Sequence, residues 1–238
     1  MKRKKSRGKS ARDIIGAILL ITLIISLVFV IVNIVKAPHV APKGSDHVKV
    51  KSDYTLSLVQ CLLAVVVTFV PSIIEKRFRI AIPNYMFVLY FVFLYCAVYL
   101  GEIRNFYFIF PQWDTMLHTF SGAMLGALGF SLVSILNDQN TAYLHLSPFF
   151  VALFALCFAV FCGVLWEIYE FVFDGILGLN MQKFALENGL QLIGRNALVD
   201  TMEDLIVDVL GALAVCIVGY LTLKTKQNKP DKSIDLEL

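Results

Sequence analysis

The chain has 238 residues, 58% of them hydrophobic and 16% charged, with a mean hydropathy of +0.74. Those values exclude an ordinary soluble domain and a disordered chain. The net charge is only +3, and the basic residues gather at the termini and one short loop, a pattern of membrane orientation and not of a nucleic-acid surface.

Six apolar runs organise the sequence. Ile14–Val35, Tyr54–Ile74 and Ile80–Gly101 carry no formal charge, Thr115–Asn137 is interrupted only by His118, and Ser147–Trp166 is uncharged. A bilayer core of about 30 Å needs about 20 helical residues, so each of these five predicts a spanning helix. The first follows the basic segment Met1–Asp13. It is too long for the core of a signal peptide and no small-x-small cleavage site follows, so an uncleaved anchor is expected.

The segment Lys36–Asp53, with Pro38 and Pro42 among mixed charges, reads as a solvated connector. Pro71 predicts a kink near the end of the second helix, whereas Pro83 is expected in the first turn of the third, where its missing N–H is tolerated. The aromatic stretch Asn105–Trp113 suits the headgroup layer, and Trp113 and Trp166 are both expected at the outer boundary. Gly122 and Gly126 form a small-xxx-small face on the fourth helix. Cys61, Cys96, Cys157, Cys162 and Cys216 all lie in apolar runs without a Cys-x-x-Cys pair and read as small buried hydrophobes. The apolar residues of Gly178–Val199 suit a segment lying on the membrane surface.

With the N-terminus in the cytoplasm, 14 of the 21 Lys and Arg fall inside. They are those before Ile14, Lys76, Arg77 and Arg79, and the lysines beyond Leu223. Both termini are therefore expected in the cytoplasm. The predicted class is all-α: a polytopic integral membrane protein of six transmembrane helices in the bacterial cytoplasmic membrane. Residues 1–13 form a basic N-terminus, 14–223 the transmembrane domain and 224–238 a polar cytoplasmic tail.

The sixth run sets the site. Val209–Leu223 holds only 15 residues, so a spanning helix must begin near Asp200 and carry Asp204 and Asp208 inward, where carboxylates need partners. Spaced by four, the three line one helical face over about 12 Å. The fourth helix opens with Asp114 and His118, also i, i+4, and the fifth closes with Glu167, Glu170 and Asp174 at i, i+3, i+7. The topology, chosen from Lys and Arg alone, brings all of these to the outer side. Several carboxylates at one depth cannot all ionise without a cation or shared protons. An oxygen-rich set suits Mg²⁺, Mn²⁺ or Ca²⁺, with Mg²⁺ or Mn²⁺ the expected cofactor. Metal ligation is expected of Asp114, His118, Glu167, Glu170, Asp204 and Asp208, and catalysis of His118, Glu167 and Asp204. Asp174, Asp200 and Glu203 are expected to be solvated.

Trp113-Asp-Thr-Met-Leu-His118 with Ser121-Gly122, Trp166-Glu-Ile-Tyr-Glu170, and Asp200-Thr-Met-Glu-Asp-Leu with Gly211-Ala212 resemble the uncharacterised bacterial inner-membrane family that includes YjdF. The order Asp-x-x-x-His, Glu, then Arg followed by the acidic stripe is also similar to VanZ-like proteins linked to teicoplanin resistance. Those chains tend to carry Lys and Asn where this one has Thr115 and Asp208. The likeness puts Asp114, His118, Glu167, Arg195, Asp204 and Asp208 at motif positions, with Arg195 the expected substrate-binding residue.

Three functions fit. One is a metal-dependent enzyme acting on a lipid or lipid-linked envelope substrate at the outer leaflet. The second is a proton- or cation-coupled transporter, and the third a non-catalytic envelope scaffold or stress protein. Membrane lipids are the expected partners, and nucleic acid is not. The one-sided placement of the acids and the absence of an inverted repeat weigh against transport.

Overall fold

The computed structural model describes residues 10–40, 48–78, 82–137, 146–186 and 190–227. The basic segment before Ser10, the loop after Asn137 with His145, and the polar tail lie outside the described residues, as do Lys43, His47 and Arg79. Helices α1 (Ala11–Lys36), α2 (Lys51–Thr68), α3 (Val70–Phe78) and α4 (Asn84–Leu94) come first, and α4 runs on as a π-helix over Tyr95–Ile103. The short α5 (Phe106–Ile109), then α6 (Trp113–Asn137) and α7 (Pro148–Leu177), lead to a 3₁₀ turn (Gly194–Leu198) and α8 (Val199–Gln227). Among the described residues the one β feature is an isolated antiparallel bridge between Ala185 and Gln191.

Six helical stretches are long and apolar enough to cross a membrane: Ala11–Lys36, Lys51–Arg77, Asn84–Ile103, Trp113–Val133, Pro148–Leu177 and Gly194–Gln227. The chain is an all-α, multi-pass membrane protein. Its side chains agree with lipid as the solvent. On α1 only a stripe including Leu19, Leu23 and Val30 is buried, while Ile18, Ile21, Ile24, Ile25 and Val28 are all exposed. An apolar surface of that extent is stable against hydrocarbon and not against water. The helix starts at a capping box, in which Ser10 and Asp13 satisfy each other's backbone N–H groups.

The chain divides into two compact units, residues 1–117 with 172–192 and residues 118–171 with 193–238. In the first, Leu19 and Leu23 of α1 pack with Cys61 and Ala64 of α2 and with Phe87, Phe91 and Leu94 of α4. Gly16 lets the Phe91 ring close in, since a Cβ there would stand 2.9 Å from it. The Arg12 guanidinium lies 3.2 Å from the centroid of the buried Phe87 ring and bonds Ser72 and Glu75 at 3.1 Å each. Glu75 in turn accepts the Ile82 N–H at 3.0 Å, fixing the turn into α4. Pro83 precedes that helix as its N-cap, one residue earlier than its expected place in the first turn.

Pro71 breaks the second span, as its missing N–H and its ring require. Helix α2 stops at Thr68 and α3 resumes at Val70. The carbonyl four residues before Pro71 belongs to Val67, and it accepts the Tyr90 hydroxyl at 2.9 Å. A polar group freed by proline inside a membrane needs such a substitute. Tyr90→Phe is therefore expected to cost about 1–3 kcal/mol, the usual penalty for a buried group left unsatisfied. A thermal midpoint equal to wild type in detergent would contradict this.

The second unit is built on close approach of α6, α7 and α8. A Cβ at Gly122 of α6 would strike the backbone carbonyl of Asp208 in α8, and one at Gly211 of α8 would strike the carbonyl of Thr119 in α6. Gly126 faces Ala212 one turn further on, and Gly129 faces Ala155 of α7, whose Cα would lie 2.7 Å from an added Cβ. Small residues let helix backbones touch where no hydrophobic effect drives them together. Helix α7 does not end with its uncharged run at Trp166 but continues to Leu177, so Glu167, Glu170 and Asp174 are turns of the same helix.

Candidate functional site

In the second unit the sequence places one imidazole on α6, two carboxylates on α7 and the acidic stripe on α8. His118, Glu167, Glu170, Asp204 and Asp208 are all buried, at 8% exposure or less. The i, i+4 spacing of Asp204 and Asp208 turns both toward the same neighbours, while Glu203, just before Asp204, is exposed. Each of His118, Glu167 and Asp204 offers a ligand atom within 4.8 Å of the others. Ligands on opposite sides of a cation bonded at about 2.1 Å stand about 4.2 Å apart, so these three can share one small divalent ion.

Asp208 stands on the other edge of the imidazole. Its Oδ2 is 3.3 Å from His118 Nδ1, whereas His118 Nε2 is 4.0 Å from Asp204 Oδ2. Asp208 Oδ1 accepts from the Ser121 hydroxyl at 3.1 Å, and that hydroxyl also lies 2.9 Å from the His118 carbonyl. A carboxylate facing Nδ1 holds the proton on that nitrogen and leaves the Nε2 lone pair toward Asp204 and Glu167. Gly163 of α7 makes room for the arrangement, because a Cβ there would stand 2.7 Å from Asp208 Oδ2. Asp208 thus sits where three helices meet.

The remaining expected residues are placed as follows. Glu170 accepts the Trp166 indole N–H at 3.0 Å, one helical turn away, and the Trp166 ring stacks on Tyr169 with centroids 5.0 Å apart. Asp114, in the first unit, accepts from Lys183. Arg195 is exposed on the 3₁₀ turn ahead of α8. Asp200 is half-buried in the first turn of α8. Asp174 departs from its expected solvated state: it is buried, and its two oxygens accept the Met181 and Gln182 N–H groups at 2.8 and 3.0 Å. It caps the loop after α7, where backbone donors need an acceptor.

Two participants were not singled out by the sequence for this chemistry. Ser121 lies three residues from His118, on the same face, and that spacing was the available signal. Gly163 lies four residues before Glu167, but a glycine in an apolar run gives no sign of the carboxylate it admits.

The chain matches the family described as "Predicted membrane protein (DUF2238)" over residues 15–225. It is 31% identical over 153 residues to an uncharacterized protein of Thermotoga maritima, an alignment covering 64% of this chain and 70% of that one. No solved structure matches it. Six candidate spans and a family match over nearly the whole chain lead to one conclusion: this protein belongs to the DUF2238 family of membrane proteins, the family that includes YjdF.

Proposed function

We propose that the protein is a membrane-embedded enzyme whose His118, Glu167 and Asp204 bind Mg²⁺ or Mn²⁺ and act on a lipid or lipid-linked envelope substrate. The observation that carries this reading is the convergence of those three side chains, from three helices, within 4.8 Å. Buried carboxylates cost several kcal/mol each without compensation, and a cation supplies it. When bound, such an ion polarises a phosphoryl or carbonyl oxygen. The chain's own groups orient and move protons: Asp208 fixes the tautomer of His118, and Nε2 is then the atom that binds the ion or accepts a proton. Arg195, exposed before α8, is free to meet an anionic head group, and this account keeps both termini in the cytoplasm and the site at the outer leaflet. The similarity of the motif order to VanZ-like proteins supports an envelope role.

Full-length protein in Mn²⁺-containing nanodiscs, given an isoprenyl diphosphate or phosphatidylglycerol, is expected to release phosphate or head group. Asp204→Asn should slow that release about 100-fold, the scale of a lost acid–base or ligand group. Release that survives Asp204→Asn unchanged would contradict the proposal. A second reading, a proton-coupled carrier, draws on the chain from Ser121 through Asp208 to His118. It is favoured if proton flux across vesicles, and no product, depends on His118.

A further inference from the structure

The second span carries its charges only at its ends. Tyr54–Ile74 holds 21 residues without a formal charge, about 31 Å of helix, which matches a hydrocarbon core of about 30 Å. Glu75, Lys76 and Arg77 therefore enter the head-group layer, at the end where Arg12 of α1 is bonded to Ser72 and Glu75 of α3. In sequence, the stretches 1–13 and 75–79 around that tie hold ten Lys and Arg against two acids, Asp13 and Glu75.

Both acids are already engaged. Glu75 takes Arg12 on one oxygen and the Ile82 N–H on the other, and Asp13 closes the capping box with Ser10. Lys76 and Arg77 are exposed, and neither is in an ion pair among the described residues. Ile73 precedes them by three and four residues, the spacing of surface neighbours on a helix. Phe69 and Val70 precede Ile73 by four and three, and all three apolar residues are exposed. Ser72 and Glu75, also three apart, make the other face that meets Arg12.

One exposed strip of the first unit thus runs from apolar residues at core depth to two unpaired cations at head-group depth. A soluble anion would leave Phe69, Val70 and Ile73 uncovered, and a plain hydrocarbon would leave the cations uncovered. A phospholipid covers both, with an acyl chain along the apolar residues and its phosphate at Lys76 and Arg77. The planar guanidinium takes two phosphate oxygens side by side, and the ammonium adds a point charge. A head group with a cation of its own would meet two like charges. We propose that this strip binds an anionic phospholipid of the phosphatidylglycerol type. The strip shares no residue with the proposed metal centre, so its test stands apart from that of the enzyme.

The test is native mass spectrometry of the full chain released from nanodiscs holding equal amounts of phosphatidylglycerol and phosphatidylethanolamine with the same acyl chains. Wild type should retain phosphatidylglycerol about 30-fold better, the scale of two surface cations acting on one anionic lipid. Lys76→Gln with Arg77→Gln should cut that preference by about tenfold or more. Lys224→Gln with Lys226→Gln removes the same charge from the exposed last turn of α8 and should change it by less than about threefold. Lys76→Arg with Arg77→Lys should keep most of it. Equal retention of the two lipids by wild type overturns the proposal. So does an equal loss in both double glutamine variants, which would mark diffuse attraction to any basic helix end. If inorganic phosphate raises the thermal midpoint of lipid-free wild type as far as phosphatidylglycerol does, the site takes the free anion and the lipid assignment is refuted. Should the Lys76 and Arg77 double variant not fold, Arg77→Gln alone decides, with an expected loss of about fivefold.

Discussion

Gly211→Ala and Gly122→Ala should each lower the stability of the protein by about 3 kcal/mol, the upper range for overpacking a close-packed interior. The added methyl at 211 meets the Thr119 carbonyl, and the one at 122 meets the Asp208 carbonyl. Both obstacles are main chain, which cannot swing aside as a side chain can, so α6 and α8 must separate. Membrane insertion itself should survive, because hydropathy decides it and alanine changes that little. Separation would also draw Asp208 away from His118 and Ser121, so site function should fall with stability. Gly175→Ala is the matched control, as nothing lies within 4 Å of its added carbon. Thermal midpoints from fluorescence-detected size exclusion would show wild type and Gly175→Ala together, with the other two well below. Four equal midpoints would refute the close approach of these helices.

Asp208→Asn should weaken Mn²⁺ binding about 10- to 100-fold, the range for losing a partner that orients a ligating histidine. Asp200→Asn should change it by less than about threefold, the scale of a weak charge–charge effect on an ion it does not itself hold. The two positions are eight residues apart, about 12 Å along α8. Asp208 is 4% exposed and holds His118 Nδ1 on one oxygen and Ser121 on the other. Asparagine keeps the shape but offers one acceptor and two donors. It can therefore satisfy Ser121 or the imidazole N–H but not both, and the tautomer of His118 is no longer fixed. Asp200 is half-buried in the first turn, two turns from Asp208, and is not one of the three side chains proposed to hold the ion. Equal and small effects at both positions would instead mark a packing network.

The spans were readable because lipid imposes one rule along each whole run: apolar residues for the thickness of the bilayer. Even Pro71 announced its break, since the consequences of a missing N–H are local. The short sixth run was equally legible, as 15 residues cannot cross without drawing Asp204 and Asp208 inward. What depended on a partner in space was not readable. The Val67 carbonyl finds Tyr90 twenty-three positions away, and nothing in either neighbourhood says so. Asp174 looked solvated because it is the outermost acid of its helix, whereas the loop that follows turns back its N–H groups. Lys49 looked like solvated connector because charge and proline dominate that segment, whereas it is partly buried and donates to the backbone carbonyl of Glu102 at the end of the π-helix. The extra turn geometry of the π-helix left no mark in an apolar run.

The central claim is that His118, Glu167 and Asp204 hold a divalent cation, and Mn²⁺ binding to full-length protein in nanodiscs tests it most directly. Electron paramagnetic resonance after removal of free metal should show one Mn²⁺ per chain in wild type, displaced by excess Mg²⁺, and none in His118→Ala at an unchanged thermal midpoint. Folded wild type that retains no Mn²⁺, or a His118→Ala variant that retains it fully, would contradict the account.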